Sequence, residues 1–164
     1  DIYYDYLGNE VPFFSYGWED LYTKSNPIEK AIYYMKYQND RRKKFKLKNK
    51  EFLKNCYLNI IFEKFVKSPF AYIDKIENLI GVKFKKHNFK VMKKQNVPRK
   101  NIVDGVSLSI YKRCGWEPPK EGLSEREELD LRRDFVKKKG ASEHAVSTLD
   151  DLCREYEYEN KIFS

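Results

Sequence analysis

Residues 58–81, LNIIFEKFVKSPFAYIDKIENLIG, decide how the rest of the chain is read. The run at 57–62, YLNIIF, predicts a short buried strand, because β-branched and aromatic side chains fit a pleated, covered surface. Ser68 and Pro69 then offer a cap and a first helical residue with no N–H to lose. Tyr72, Ile73, Ile76, Leu79 and Ile80 recur at helical spacing, and Gly81 stands where a left-handed residue would stop the helix. A strand feeding a capped helix is the elementary piece of an α/β sheet.

Upstream, SNPIEKAIYYMKY at 25–37 predicts a second helix. Asn26 caps, Pro27 takes the first helical position, and Glu29 complements the positive helix end. Ile28, Ala31, Ile32 and Met35 form its expected buried stripe, and the helix continues into the polar NDRRKKFKLKNKEF. Residues 1–24 are aromatic-rich and punctuated by Gly8, Asn9, Pro12 and Gly17, so they read as strand and loop pieces. Tyr3, Tyr4, Tyr6, Phe13, Phe14, Tyr16 and Trp18 could line a pocket or simply pack together.

Downstream, 82–106 reads as irregular or partly extended, with a short helix around 107–114. A capping box, Ser124 to Glu127, opens a helix that ends on Gly140, with acids early and bases late to suit the dipole. A last helix spans about 142–156, with Ala145, Val146, Leu149, Cys153 and Tyr156 on one face. No internal repeat and no Gly/Ser linker is visible, so one domain is expected.

The 164 residues are 41% hydrophobic and 16% aromatic, enough to build a core despite 35% charged residues. No apolar run approaches the ~18 residues of a membrane span, so a soluble, cytoplasmic chain is expected. Cys56, Cys114 and Cys153 are far apart and form no CxxC, and His87 and His144 are the two histidines; neither a zinc site nor a disulfide framework is suggested. The net charge of +8 is uneven. Residues 83–100 hold eight Lys/Arg and no acid, 36–54 hold nine against two acids, and 117–164 hold thirteen acids against nine bases. Such a basic middle suits a polyanionic partner.

The order of these motifs resembles the C-terminal half of sulfotransferases that use 3′-phosphoadenosine 5′-phosphosulfate. In that family an Arg-Asn/Asp-Pro motif opens a helix, a later strand ends in an aromatic-acidic pair, and Pro then begins a helix closing on Gly. SNPIEKAIYYM matches the first and FEKFVKSPFAYIDKIENLIG the second. The family's basic loop ahead of a tryptophan corresponds to PRK at 98–100 and CGWEPP at 114–119, and LSEREELDLRR precedes a closing helix. Two departures stand out. No G-x-x-x-x-G-K-S/T phosphate loop occurs anywhere, and Ser25 and Tyr33 occupy the places of the family's Arg and Ser.

The resemblance implies an α/β fold: the helix-rich C-terminal part of a P-loop-like parallel-sheet sulfotransferase domain, its N-terminal phosphate-loop half absent. Within a single partial domain, 1–24 would be an irregular aromatic segment and 25–164 the sulfotransferase-like portion. It implies sulfuryl transfer from 3′-phosphoadenosine 5′-phosphosulfate to a small hydroxyl or amine acceptor, without a metal. This chain would supply the adenosine and 3′-phosphate side and be inactive alone, as part of a longer polypeptide. Phe62 would stack on adenine, while Arg99 and Lys100 would close over the 3′-phosphate. Lys24, Ser25 and Tyr33 would flank the phosphate at the Asn-Pro helix start, with Lys30 as a further source of charge. Trp116 would gate the ligand pocket or plug the surface between helices. The catalytic base is not assigned.

A different class remains open. The basic segments interleave Lys/Arg with Phe45, Phe52, Phe84 and Phe89, as a small basic helical nucleic-acid-binding module would. No helix-turn-helix, zinc-finger or RNP-type motif accompanies them.

Overall fold

The computed structural model describes residues 2–102, 115 and 124–161. Its contacts divide the chain into two compact units where the sequence shows no linker: 1–48 with 133–159, and 49–132 with 160–164. The architecture is helix-rich with one small antiparallel sheet among the described residues.

The first unit opens with a hairpin in which β1 (Tyr3–Tyr6) pairs with β2 (Asn9–Pro12), Tyr3 opposite Pro12 and Tyr6 opposite Asn9. Leu7 and Gly8 turn it with φ of 51° and 77°, the left-handed pair that matches strand twist in a two-residue loop. A single 3₁₀ turn at Phe13–Ser15 follows, closed by the fully buried Ser15, whose hydroxyl donates to the Pro12 carbonyl at 2.7 Å. Then come α1 (Glu19–Lys24) and the long α2 (Pro27–Lys48). The unit is completed by the last turns of α7 (Glu125–Lys138) and by α8 (Glu143–Asn160) through Glu159.

Ile32 and Tyr33 of α2 meet Ala145 of α8 in the core, with Trp18, Val136, Ala141 and Leu149 packed around them. The expected stripe on α2 is therefore rotated: Ile32 is buried, but Ala31 and Met35 are exposed and Tyr33 takes the inward place. A tyrosine ring buries more apolar area than an alanine methyl, so the bulkier neighbour sets the face.

The aromatic opening is a packed lattice. Phe14 meets Tyr34 edge-on at 5.1 Å between centroids and Tyr22 at 5.9 Å, and Trp18 meets Tyr22 at 5.5 Å. Tyr4 donates its hydroxyl to Glu19 Oε1 at 2.7 Å.

The second unit holds α3 (Lys50–Leu53), α4 (Phe62–Lys67), α5 (Phe70–Ile80) and α6 (Lys86–Lys94), with the earlier turns of α7. The strand expected at 57–62 does not form. Residues 57–61 are an irregular connector, Phe62 begins α4, and Tyr57 and Ile60 are 39% and 44% exposed. Apolar propensity makes a strand only where a neighbouring strand completes its ladder, and no described segment of this unit does so. The expectation for 82–106 is also corrected in part, since α6 occupies its middle. Asn88 Oδ1 accepts the Lys85 amide at 2.9 Å at that helix start. The short helix expected at 107–114 lies outside the described residues.

α5 forms where the sequence predicts, one residue later than expected with Pro69 just ahead of it, and its last two apolar residues, Leu79 and Ile80, are exposed. Ile73 is buried, and Gly81 adopts φ 68° and ψ 17°, its N–H donating to the Glu77 carbonyl at 2.8 Å. The cap differs, because Ser68 makes no side-chain cap bond to this helix. Past the glycine, Glu77 holds the outgoing loop, accepting from the Phe84 amide at 2.7 Å and from Lys83 Nζ at 2.6 Å. These bonds, Lys83 first, lower the Glu77 carboxyl below its ordinary range.

A Cβ at Gly81 would meet nothing within 4 Å, so Gly81→Ala tests backbone conformation alone. The expected loss is about 1 kcal/mol in urea denaturation. Gly81→Asn is expected to recover part of it, since asparagine tolerates the left-handed region.

Candidate functional site

The residues singled out by sequence fall in both units. Lys24, Ser25 and Tyr33 belong to the first; Phe62, Arg99 and Lys100 belong to the second.

In the first unit, the N-terminus of α2 carries its own anion. Asn26 Oδ1 accepts the amides of Ile28 at 3.0 Å and Glu29 at 3.1 Å, while Glu29 Oε2 accepts the Asn26 amide at 3.0 Å. This reciprocal box fills the donors that a phosphate would otherwise use. The same two side chains reach the turn between α7 and α8: Asn26 Nδ2 donates to the Gly140 carbonyl at 2.9 Å, and Glu29 Oε1 accepts the Ser142 amide at 2.9 Å. Hydrogen bonds from Ser142, then from Asn26, hold the Glu29 carboxyl below its usual value.

Around this joint the other residues are also engaged. Ser25 Oγ donates to the Leu21 carbonyl at 2.5 Å, and Lys24 is the exposed last residue of α1. Lys30 lays its ammonium over the Tyr22 ring, 4.2 Å from the centroid. Tyr33 is 6% exposed within the core, its ring 5.9 Å from that of His144.

In the second unit the structure brings Phe62 and Arg99 together. The Arg99 guanidinium carbon lies 5.6 Å from the centre of the Phe62 ring, a cation–π arrangement. The Arg99 amide donates to the Val66 carbonyl at 2.7 Å, tying the loop to the end of α4. Its guanidinium is oriented by the backbone: Nη1 donates to the Ile102 carbonyl at 2.9 Å and Nη2 to the Gln95 carbonyl at 3.3 Å. Nε is buried with no partner among the described residues. Phe62 remains 52% exposed, and Lys100 is exposed beside Arg99. The result is a cationic fork fixed next to an accessible aromatic ring, chemistry suited to a flat heterocycle bearing a phosphate. Trp116 lies outside the described residues.

Two features were missed from sequence. A groove of about 440 Å³ runs between α2 and α8 in the first unit, lined by Tyr34, Met35, Leu149, Leu152, Cys153 and Tyr156 among others. It follows from the rotation of α2, which leaves Met35 at 47% exposure. Burial, then the carboxylates of Glu157 and Asp150, raise the Cys153 thiol, so it is a packing group and not a ready nucleophile. The second feature is a lysine face on α6, legible in the spacing of Lys86, Lys90 and Lys93 once the segment is read as helix.

No protein-family model, no curated protein and no solved structure matches the chain. Among the described residues, no helix is long and apolar enough to cross a membrane. No group of three His, Cys, Asp or Glu among them could hold a metal ion.

Proposed function

We propose that the chain is the nucleotide-binding portion of a sulfotransferase, taking the adenosine 3′-phosphate end of 3′-phosphoadenosine 5′-phosphosulfate at Phe62, Arg99 and Lys100. The observation that supports this reading is the meeting of Phe62 and Arg99 at 5.6 Å, two residues from separate motifs that the family resemblance assigns to one site. Adenine stacks on the exposed Phe62 ring, and the outer side of the Arg99 guanidinium with Lys100 takes the 3′-phosphate. The α2 N-terminus, already occupied by Glu29, takes no part in phosphate binding. A phosphosulfate loop and a catalytic base come from outside this chain, which by itself binds nucleotide without turnover. The acceptor is a small alcohol or amine, and the transfer places sulfur in line between the acceptor oxygen or nitrogen and the leaving phosphate.

Calorimetric titration with 3′-phosphoadenosine 5′-phosphate tests this. Phe62→Leu and Lys100→Ala change exposed side chains and are expected to keep the fold while each weakening binding about fivefold or more. Arg99→Lys keeps the charge but loses the fork, and is expected to weaken it about tenfold. No binding at millimolar nucleotide, or equal binding by wild type and all three variants, overturns the reading.

A further inference from the structure

We propose that the outer face of α6 is a docking surface for single-stranded nucleic acid, independent of the nucleotide site assigned to Phe62 and Arg99. Lys86, Lys90, Lys93 and Lys94 stand at spacings of four, three and one residues on this helix. At ~100° per residue these positions fall within roughly a 100° arc, so the four ammonium groups share one face. Lys86 and Lys90 are about 6 Å apart along the axis, and Lys86 and Lys93 about 10.5 Å. All four are exposed, and none has a hydrogen-bond or ion-pair partner among the described residues. There is no acid from 82 to 102 to neutralise them. Like charges one turn apart repel and weaken the helix that carries them. An external polyanion relieves that repulsion.

The edge of that face selects the polyanion. Phe89 lies one turn from both Lys86 and Lys93, and its ring stacks against Phe70, with centroids 6.4 Å apart and planes at 25°. Phe70 is 59% exposed and Phe89 40%, so the stacked pair presents ring area to solvent beside the lysines. A lysine stripe that tracks a phosphate backbone next to aromatic faces that take unpaired bases is the recurring arrangement for single strands. A duplex hides its base faces, and a membrane helix would expose a long apolar strip, whereas Met92 on the opposite side of α6 is half-buried.

The test is fluorescence anisotropy of a labelled 20-nucleotide oligo-dT with the whole chain, from 50 to 200 mM salt. Four phosphate contacts give a slope of log K against log salt near about −3. Lys86→Ala/Lys90→Ala/Lys93→Ala, all exposed positions, is expected to reduce that slope by about 2. Phe70→Leu is expected to lower affinity at least about fivefold with the slope unchanged. The proposal is overturned by an unaltered slope in the triple lysine variant, by equal affinity for a duplex, or by no change in Phe70→Leu. Binding to phosphatidylserine vesicles without binding to oligo-dT also overturns it. Because 3′-phosphoadenosine 5′-phosphate is expected not to displace the oligonucleotide, failure here leaves the Phe62–Arg99 reading intact, and the reverse holds equally.

Discussion

Replacing Ile32 with alanine is expected to destabilise the first unit by about 3 kcal/mol. Ile32 is 2% exposed and sits against Tyr33 and the fully buried Ala145, with Trp18 and Leu149 around it. The substitution removes three carbons from a site whose neighbours come from α2, α8 and the loop before α1, so no single element can shift to close the gap. Met35→Ala is the internal control, since Met35 is 47% exposed on the same helix and is expected to cost under about 1 kcal/mol. Urea denaturation should show a lower midpoint for Ile32→Ala with an unchanged slope. A smaller loss at Ile32 than at Met35 would mean that the core lies on the other face of α2.

The second large effect is expected at the Asn26–Glu29 joint. Asn26→Ala removes the acceptor for two amides of α2 and the donor to the Gly140 carbonyl, with an expected loss of about 2 kcal/mol. Glu29 adds a pH dependence whose sign follows from its lowered folded value. Its contribution is complete above the unfolded glutamate pKa of about 4.3 and is lost as pH falls through the depressed folded value. Denaturation midpoints measured from neutral pH into the acid range should therefore decline less steeply in Glu29→Gln than in wild type. Parallel decline in the two proteins would show that the carboxylate contributes nothing at this joint.

The Ser124–Glu127 capping box and the Asn26 cap were legible because a cap is a local transaction between residues two or three apart. Ser124 and Glu127 pair as their spacing predicts, Glu127 Oε2 accepting the Ser124 amide at 2.7 Å, and Asn26 caps α2 as expected, while the return bond from the Asn26 amide to Glu29 was not read from the sequence. Gly81 was legible for the same reason, since a left-handed stop needs only the absence of a Cβ. The strand at 57–62 was misread because a strand is a partnership, and its apolar residues say nothing of whether the partner is there. α6 was missed because its four outward lysines mask the weak inward signal of Met92, although Asn88 marks its start.

The candidate site divides along the same line. The family resemblance assigns Phe62 and Arg99 to one site, and in the structure the Arg99 guanidinium carbon lies 5.6 Å from the centre of the Phe62 ring. What spacing could not show is that Glu29 fills the helix start between Ser25 and Tyr33, or that Tyr33 turns into the core. Those outcomes depend on Ser142 and Ala145, which arrive from the far end of the chain.

The first unit is discontinuous, with residues 1–48 completed only by residues 133–159. On the ribosome this imposes a waiting time. At 5–20 residues per second, the amino-terminal strands and α2 emerge roughly 5–20 s before the last helix that covers Ile32. During that interval the aromatic lattice and the apolar side of α2 face solvent, while the inserted second unit has all but its last few residues in hand. The order of synthesis therefore favours the lysine-bearing unit folding first, and makes the nascent amino-terminal piece the natural client of a chaperone.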